Sequence, residues 1–286
     1  MFDNRLICLL LLAGAALAAV PAGAAVVFLD SFDDGSACAW KVTGPDLCGV
    51  FVHSATNLYR LDVPTLAPIL IGPFNTGGPA MTDIAIDKDD AMIGISLAKL
   101  WSIDRATGAA TEIGAFNGGT DGLSSLSFVP LDDADPNSAE RLITAGDSGN
   151  VYAVDRTTGA TTLLGNYGTS SGLQIRSAGD LVSIRGLGNF AMVTLGDTPS
   201  ATDFLATVDT TTWVATPVGT LSTGFDRVFG LAYRDGTFYG FVDDGSGPGT
   251  GTRITIDPVT GVGTPDLTSP FRWLGAAVAT DPFLAP

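Results

Sequence analysis

The 286-residue chain is short of basic charge. Lys and Arg number 14 against 30 Asp and Glu, and its only lysines are Lys41, Lys88 and Lys99. A formal net charge of −16 repels phosphate backbones and anionic bilayer surfaces, which excludes nucleic acid as a partner class. Histidine is reduced to His53, so Cys/His metal sets are excluded and any Ser-His-Asp arrangement would rest on that residue. Glutamate is confined to Glu112 and Glu140, which leaves aspartates to supply a glycosidase pair. After Val20 no apolar run approaches the length of a membrane span.

The long apolar run stands at the start. Arg5 precedes Leu6 to Val20, and Ala22-Gly23-Ala24 follows, the order of a secretory signal peptide. Residues 1–24 are therefore expected to be removed, giving a secreted or periplasmic protein with no membrane span after cleavage. Cys8 leaves with the signal. Cys38 and Cys48 remain, in an extension over 25–48, and two cysteines in an exported chain are expected to pair.

The remainder is rich in glycine (36 in the chain) and in short apolar runs, which reads as all-β with many turns. One phrase recurs five times: "LYRLDVPTLAPILIG" (58–72), "LWSIDRATGAATEIG" (100–114), "VYAVDRTTGATTLLG" (151–165), "LATVDTTTWVATPVG" (205–219) and "RITIDPVTGVGTPDL" (253–267). Its fifth position is Asp62, Asp104, Asp155, Asp209 and Asp257; its eighth is Thr65, Thr107, Thr158, Thr212 and Thr260. The aspartates are 42, 51, 54 and 48 residues apart, a spacing that points to a propeller or array. Within a copy, apolar residues at period two, such as Trp101 and Ile103, mark a strand with one buried face. The Asp and Thr side chains can bond the turn that follows, and Gly108, Gly159 and Gly261 can supply a positive φ. These aspartates are accordingly expected to be structural.

Two further strands precede most copies, as in "TDIAIDKDDAMIGIS" (82–96) and "FGLAYRDGTFYGFVDD" (229–244), which makes four per unit. The segment 173–197 can be read as two strands or three. The copy at 58–72 has one strand ahead of it, and "RWLGAAVATDP" (272–282) reads as a first strand with nothing after it. Joining the ends completes a five-bladed β-propeller over 49–286, with four-stranded antiparallel blades. The ring closes by pairing the C-terminal strand with the N-terminal blade.

The pattern apolar–Tyr/Trp–x–apolar–Asp–x–x–Thr–Gly resembles the repeats of secreted bacterial β-propellers of the PQQ-repeat and YVTN types. PQQ enzymes usually carry a Trp soon after the Gly, where this chain has Thr, Leu or Ile, so no quinone or other organic cofactor is expected. In ring propellers the loops between blades line a channel mouth that binds ligands. Here those loops hold Asp83, Asp121, Asp226, Arg227, Arg272 and Trp273 as candidate ligand contacts. Asp133, Asp135 and Asn137, at alternate positions of an acidic loop, are the candidates for a calcium ion. The expected function is a secreted, non-enzymatic binding or interaction module, monomeric, with a protein, glycan or small molecule as partner. The alternative is a hydrolase acting on a glycan or lactone at the mouth.

Overall fold

The computed structural model describes residues 49–280, apart from 63–64, 117–120, 136, 198–201, 235 and 246–248. Of the two units into which the chain divides, Met1–Asp34 and Gly35–Pro286, only the second contains described residues. The signal peptide, the extension and the Cys38–Cys48 pair lie outside them.

Every regular element among the described residues is a strand. In chain order these are β1 (Phe51–His53), β2 (Asn57–Leu61), β3 (Pro68–Pro73), β4 (Asp83–Ile86), β5 (Met92–Ser96), β6 (Lys99–Ile103) and β7 (Ala110–Ala115). Then come β8 (Ser127–Pro130), β9 (Glu140–Ala145), β10 (Asn150–Val154), β11 (Thr161–Asn166), β12 (Thr169–Ser170), β13 (Leu173–Ile184), β14 (Gly188–Leu195), β15 (Phe204–Val208) and β16 (Ala215–Pro217). The last are β17 (Val228–Arg234), β18 (Thr237–Asp243), β19 (Gly251–Ile256), β20 (Gly263–Ser269) and β21 (Gly275–Ala277).

They form five antiparallel blades: β4–β7, β8–β11, β12–β16, β17–β20, and a fifth in the order β21-β1-β2-β3. In that fifth sheet Phe51 pairs with Ala277, Val52 with Ala276 and His53 with Gly275, so the two ends of the propeller share one blade. The innermost strands touch in a closed cycle, β4 to β8 to β13 to β17 to β21 and back to β4. The apolar core is correspondingly divided into five clusters, one at each seam between blades.

The repeated phrase is the third strand of each blade and its turn into the fourth. Asp155 Oδ1 accepts the amides of Thr157 (2.8 Å) and Thr158 (3.1 Å); Asp209 and Asp257 do the same with the residues two and three ahead. Asp104 accepts the Ala106 amide at 2.8 Å, and Asp62 accepts the Thr65 hydroxyl at 2.8 Å. The Thr hydroxyl closes the same turn by accepting an amide two residues on. The ninth position is left-handed in all five copies, including those where Leu66 (φ 51°) and Trp213 (φ 63°) stand in place of glycine.

The phrase recurs because each copy is a socket for the next. A Cβ on Gly72, Gly114, Gly165 or Gly219 would stand 2.1, 2.6, 2.9 or 2.6 Å from the carbonyl oxygen of Thr107, Thr158, Thr212 or Thr260. The closing glycine of one copy thus receives the turn of the following blade. The last copy ends in Leu267 instead. There the nearly buried Arg253 donates to the Leu66 carbonyl at 2.6 Å, held by a two-point pair with Asp266 (2.8 and 2.9 Å).

The segment 173–197 holds two long strands, preceded by the short β12, which makes this sheet five-stranded. β13 and β14 slip between Ser177 and Leu181, where residues 178–180 bulge opposite a single residue. Gly179 lets the bulge approach the next blade, since a Cβ there would lie 2.3 Å from the Val228 carbonyl oxygen.

Candidate functional site

In a four-stranded meander the connections from strand two to three emerge at the same end as those from one blade to the next. The phrase turns emerge at the other end. A cleft lies at the former end. It has a volume of about 420 Å³ and is lined by Asp147, Arg176, Asp197, Asp203, Asp226 and Arg227, with Phe229 and small residues between them. Asp147 comes from the β9–β10 turn, Arg176 from β13, Asp197 and Asp203 from the β14–β15 connection, Asp226 and Arg227 from the loop into β17, and Phe229 from β17 itself.

The charges are interleaved. Arg176 bonds Asp197, and the Arg227 guanidinium passes Asp226 at 3.8 Å. Arg227 holds φ at 52°, a left-handed conformation that costs a residue with a side chain of order 1 kcal/mol and persists only where its surroundings enforce it. Asp203 is buried and accepts the Val228 amide at 2.8 Å. Burial pushes its carboxyl up to about 7, with the charge of Asp226 adding to the rise and the amide opposing it. Burial and the charge of Asp121 also raise Asp147, against the pull of Arg176.

Of the residues expected at the mouth, Asp226 and Arg227 line this cleft. Asp121 is engaged by the β9–β10 turn, accepting the Ser148 amide (2.8 Å) and the hydroxyls of Ser148 (2.5 Å) and Tyr152 (3.1 Å). Arg272 makes a two-point pair with Asp243, its Nε 2.7 Å from Oδ1. Burial alone would raise Asp243; Arg272, the Gly245 amide and the charge of Arg227 hold it below the usual carboxylate value. Trp273 is fully buried against Tyr59, Phe241 and Phe271. Asp83 is buried on the ring axis. Asp147, Asp197 and Asp203 lie in second-to-third connections, which the parity of strands puts at the same end as the loops between blades; Arg176, in β13, has no such signal in the sequence.

The acidic loop with Asp133, Asp135 and Asn137 lies at the opposite end. Its carbonyls at Asp132, Asp133 and Asp135 accept Arg185 Nη1 at 3.0, 3.3 and 2.7 Å. Asp133 accepts the Gly186 amide and Asp135 that of Asn137. Among the described residues no group of three or more His, Cys, Asp or Glu side chains has the geometry to hold a metal ion.

No family model and no characterised protein matches the sequence. Among solved structures the chain is similar to a protein of unknown function from Bacteroides caccae, at 10% identity and a TM-score of 0.43, over 78% of this chain and 72% of that one. It is also similar to BamB from Moraxella catarrhalis, at 16% identity and 0.37, over 80% and 62%. A third is an auxiliary nutrient binding protein from Bacteroides thetaiotaomicron, at 12% identity and 0.44, over 80% and 60%. The chain spans about three fifths of the length of these last two. Likeness at this level carries no argument about function, and the five-bladed ring rests on its own strand pairing.

Proposed function

We propose that this chain is an exported, non-enzymatic binding module that takes a small polar ligand, a glycan fragment, in the cleft beside β13 and β17. The observation that supports this reading is the cleft itself: about 420 Å³ lined by four aspartates and two arginines. That volume falls in the range of small-molecule sites. Carboxylates accept hydroxyl protons and guanidinium groups donate to hydroxyl oxygens, so an interleaved lining suits vicinal hydroxyls. Phe229 supplies an apolar face for a sugar ring. The test is a thermal-shift and calorimetric screen of oligosaccharides against the mature protein. A binder should stabilise the parent and lose most of its effect on Asp226→Ala and Arg227→Ala. A binder unaffected by both changes would place the site elsewhere.

The hydrolase reading has one specific observation in its favour, the Asp203 carboxyl poised near neutrality beside Asp226. It requires that the oligosaccharides found to bind are also cleaved, and that Asp203→Asn stops cleavage while leaving binding intact. Binding without product release decides for the binding module.

A further inference from the structure

Four of the innermost strands are edge strands, and β13 is one beyond Gln174, where its pairing with β12 ends, so amides there have no further strand to bond. Two carboxyl groups collect these amides from all five blades. Asp83 accepts the amide of Ile84 at 2.8 Å, and that of Leu126, at the entrance to β8, at 2.6 Å. Asp180, carried in the β13 bulge, accepts the amides of Leu181 (2.7 Å), Leu231 of β17 (3.3 Å) and Ala276 of β21. The two carboxyls lie close enough for each to act on the other's charge. Both are fully buried, and the axial space beside Asp180 measures about 10 Å³, room for one water at most.

Two ionised carboxylates are acceptors only and cannot bond each other. We propose that Asp83 and Asp180 hold one proton between them at the ring axis, Asp83 as the acid and Asp180 as the carboxylate, so that closure of the propeller depends on pH. The assignment follows from the donors: three amides stabilise charge on Asp180 and two on Asp83. Among the described residues no Arg or Lys ion-pairs with either carboxyl, so no cation replaces the proton.

The titratable groups facing the pair are His53, from β1, and Tyr167, from the connection between β11 and β12. His53 Nδ1 donates to the Ser54 carbonyl at 2.9 Å, leaving Nε2 unprotonated 3.9 Å from Asp83 Oδ1. Burial lowers His53 to about 4, so it is neutral at pH 7. Burial, with the Asp180 charge adding, raises Tyr167, which stays neutral too. Burial raises both carboxyls well above the usual range.

The folded pair keeps a proton that the unfolded chain releases above about pH 4. Its stabilisation is therefore full below that pH and is lost as pH rises through the folded value. Asp203 acts in the same direction but is spent near 7, while the effect of His53 is confined between about 4 and 6.5. Both act alike in the parent and in a variant of the axial pair, so the difference between the two profiles isolates the pair.

The experiment is urea unfolding of the full chain from about pH 4 upward, in the parent and in Asp83→Asn. Asp83→Asn replaces the acid O–H with an amide N–H donor that does not titrate. The parent should lose stability relative to the variant as pH rises above the unfolded Asp value, by about tenfold in the folding constant per pH unit for as long as the folded pair keeps its proton. Profiles that run parallel overturn the proposal. Should Asp83→Asn fail to fold, infrared spectroscopy of Asp203→Asn at about pH 5 decides instead. The C=O stretch of a buried protonated carboxylic acid is expected, and its absence overturns the proposal.

Discussion

The same side chain does opposite things in two parts of this ring. In the phrase turns, Asp155, Asp209 and Asp257 are exposed and sit below the usual carboxylate value, because turn amides and Thr hydroxyls bond the charged form. On the axis and beside the cleft, Asp83, Asp180 and Asp203 are buried and sit above it. Asp203 and Asp180 also accept backbone amides, so amide bonds alone do not set the sign. What differs is water: with no Arg or Lys among the described residues ion-paired to them, desolvation outweighs the amides and the proton stays. The exposed aspartates shape turns at one end of the ring, and the buried ones join blades.

Changes at each kind of aspartate should therefore differ in size and in pH dependence. Asp180→Ala should do most, since it strands the amides of Leu181, Leu231 and Ala276 and removes the partner of Asp83. A loss of roughly 3–5 kcal/mol in a denaturant melt is expected; one below about 1 kcal/mol would put the axis on a par with the surface.

Asp203→Asn should change the pH profile more than the fold. The parent loses stability from this group as pH rises from about 4 to about 7, by up to about 4 kcal/mol. His53 opposes that trend by losing stability as pH falls from 6.5 to about 4. It does so in both proteins, so the difference between their profiles isolates Asp203. Profiles that run parallel would contradict the assignment.

Asp155→Ala removes bonds to the Thr157 and Thr158 amides and the Thr157 hydroxyl. Its Tm should fall by a few degrees, equally at pH 5 and pH 8, because the stabilisation from this carboxylate is lost only as pH drops below the unfolded value. Scanning calorimetry at the two pH values checks it. Asp226→Ala, at a half-buried position, should shift stability by no more than about 0.5 kcal/mol. It should also lower the pKa of Asp203 by removing a neighbouring charge.

The turn aspartates were readable because they recur in register with a strand of period two, and the closing strand because 272–282 lacked partners. The spacing of 54 residues before Asp209, the longest interval, comes from material the pattern could not parse. β12 adds a two-residue fifth strand ahead of the four-stranded plan, and the bulge at 178–180 adds three residues without a partner each. That bulge is what carries Asp180 to the axis. "SAGDLVS" reads in sequence as a turn, because Gly-Asp between apolar runs is also turn chemistry. Asp83 stands out in sequence by its position after a loop, yet only its partners Leu126, ahead of β8, and Asp180, in β13, make it an axial group. Asp203 was hidden for a similar reason: its burial depends on the loop 222–230, far from it in sequence.

Carbon-detected NMR of the Asp side-chain carboxyls, followed from acid to alkaline pH in the folded parent, tests the contrast most directly. The account predicts that Asp155, Asp209 and Asp257 titrate below the ordinary Asp value, that Asp203 titrates near 7, and that one of the Asp83–Asp180 pair titrates well above the ordinary value. Titration of all six together near the ordinary value would contradict it.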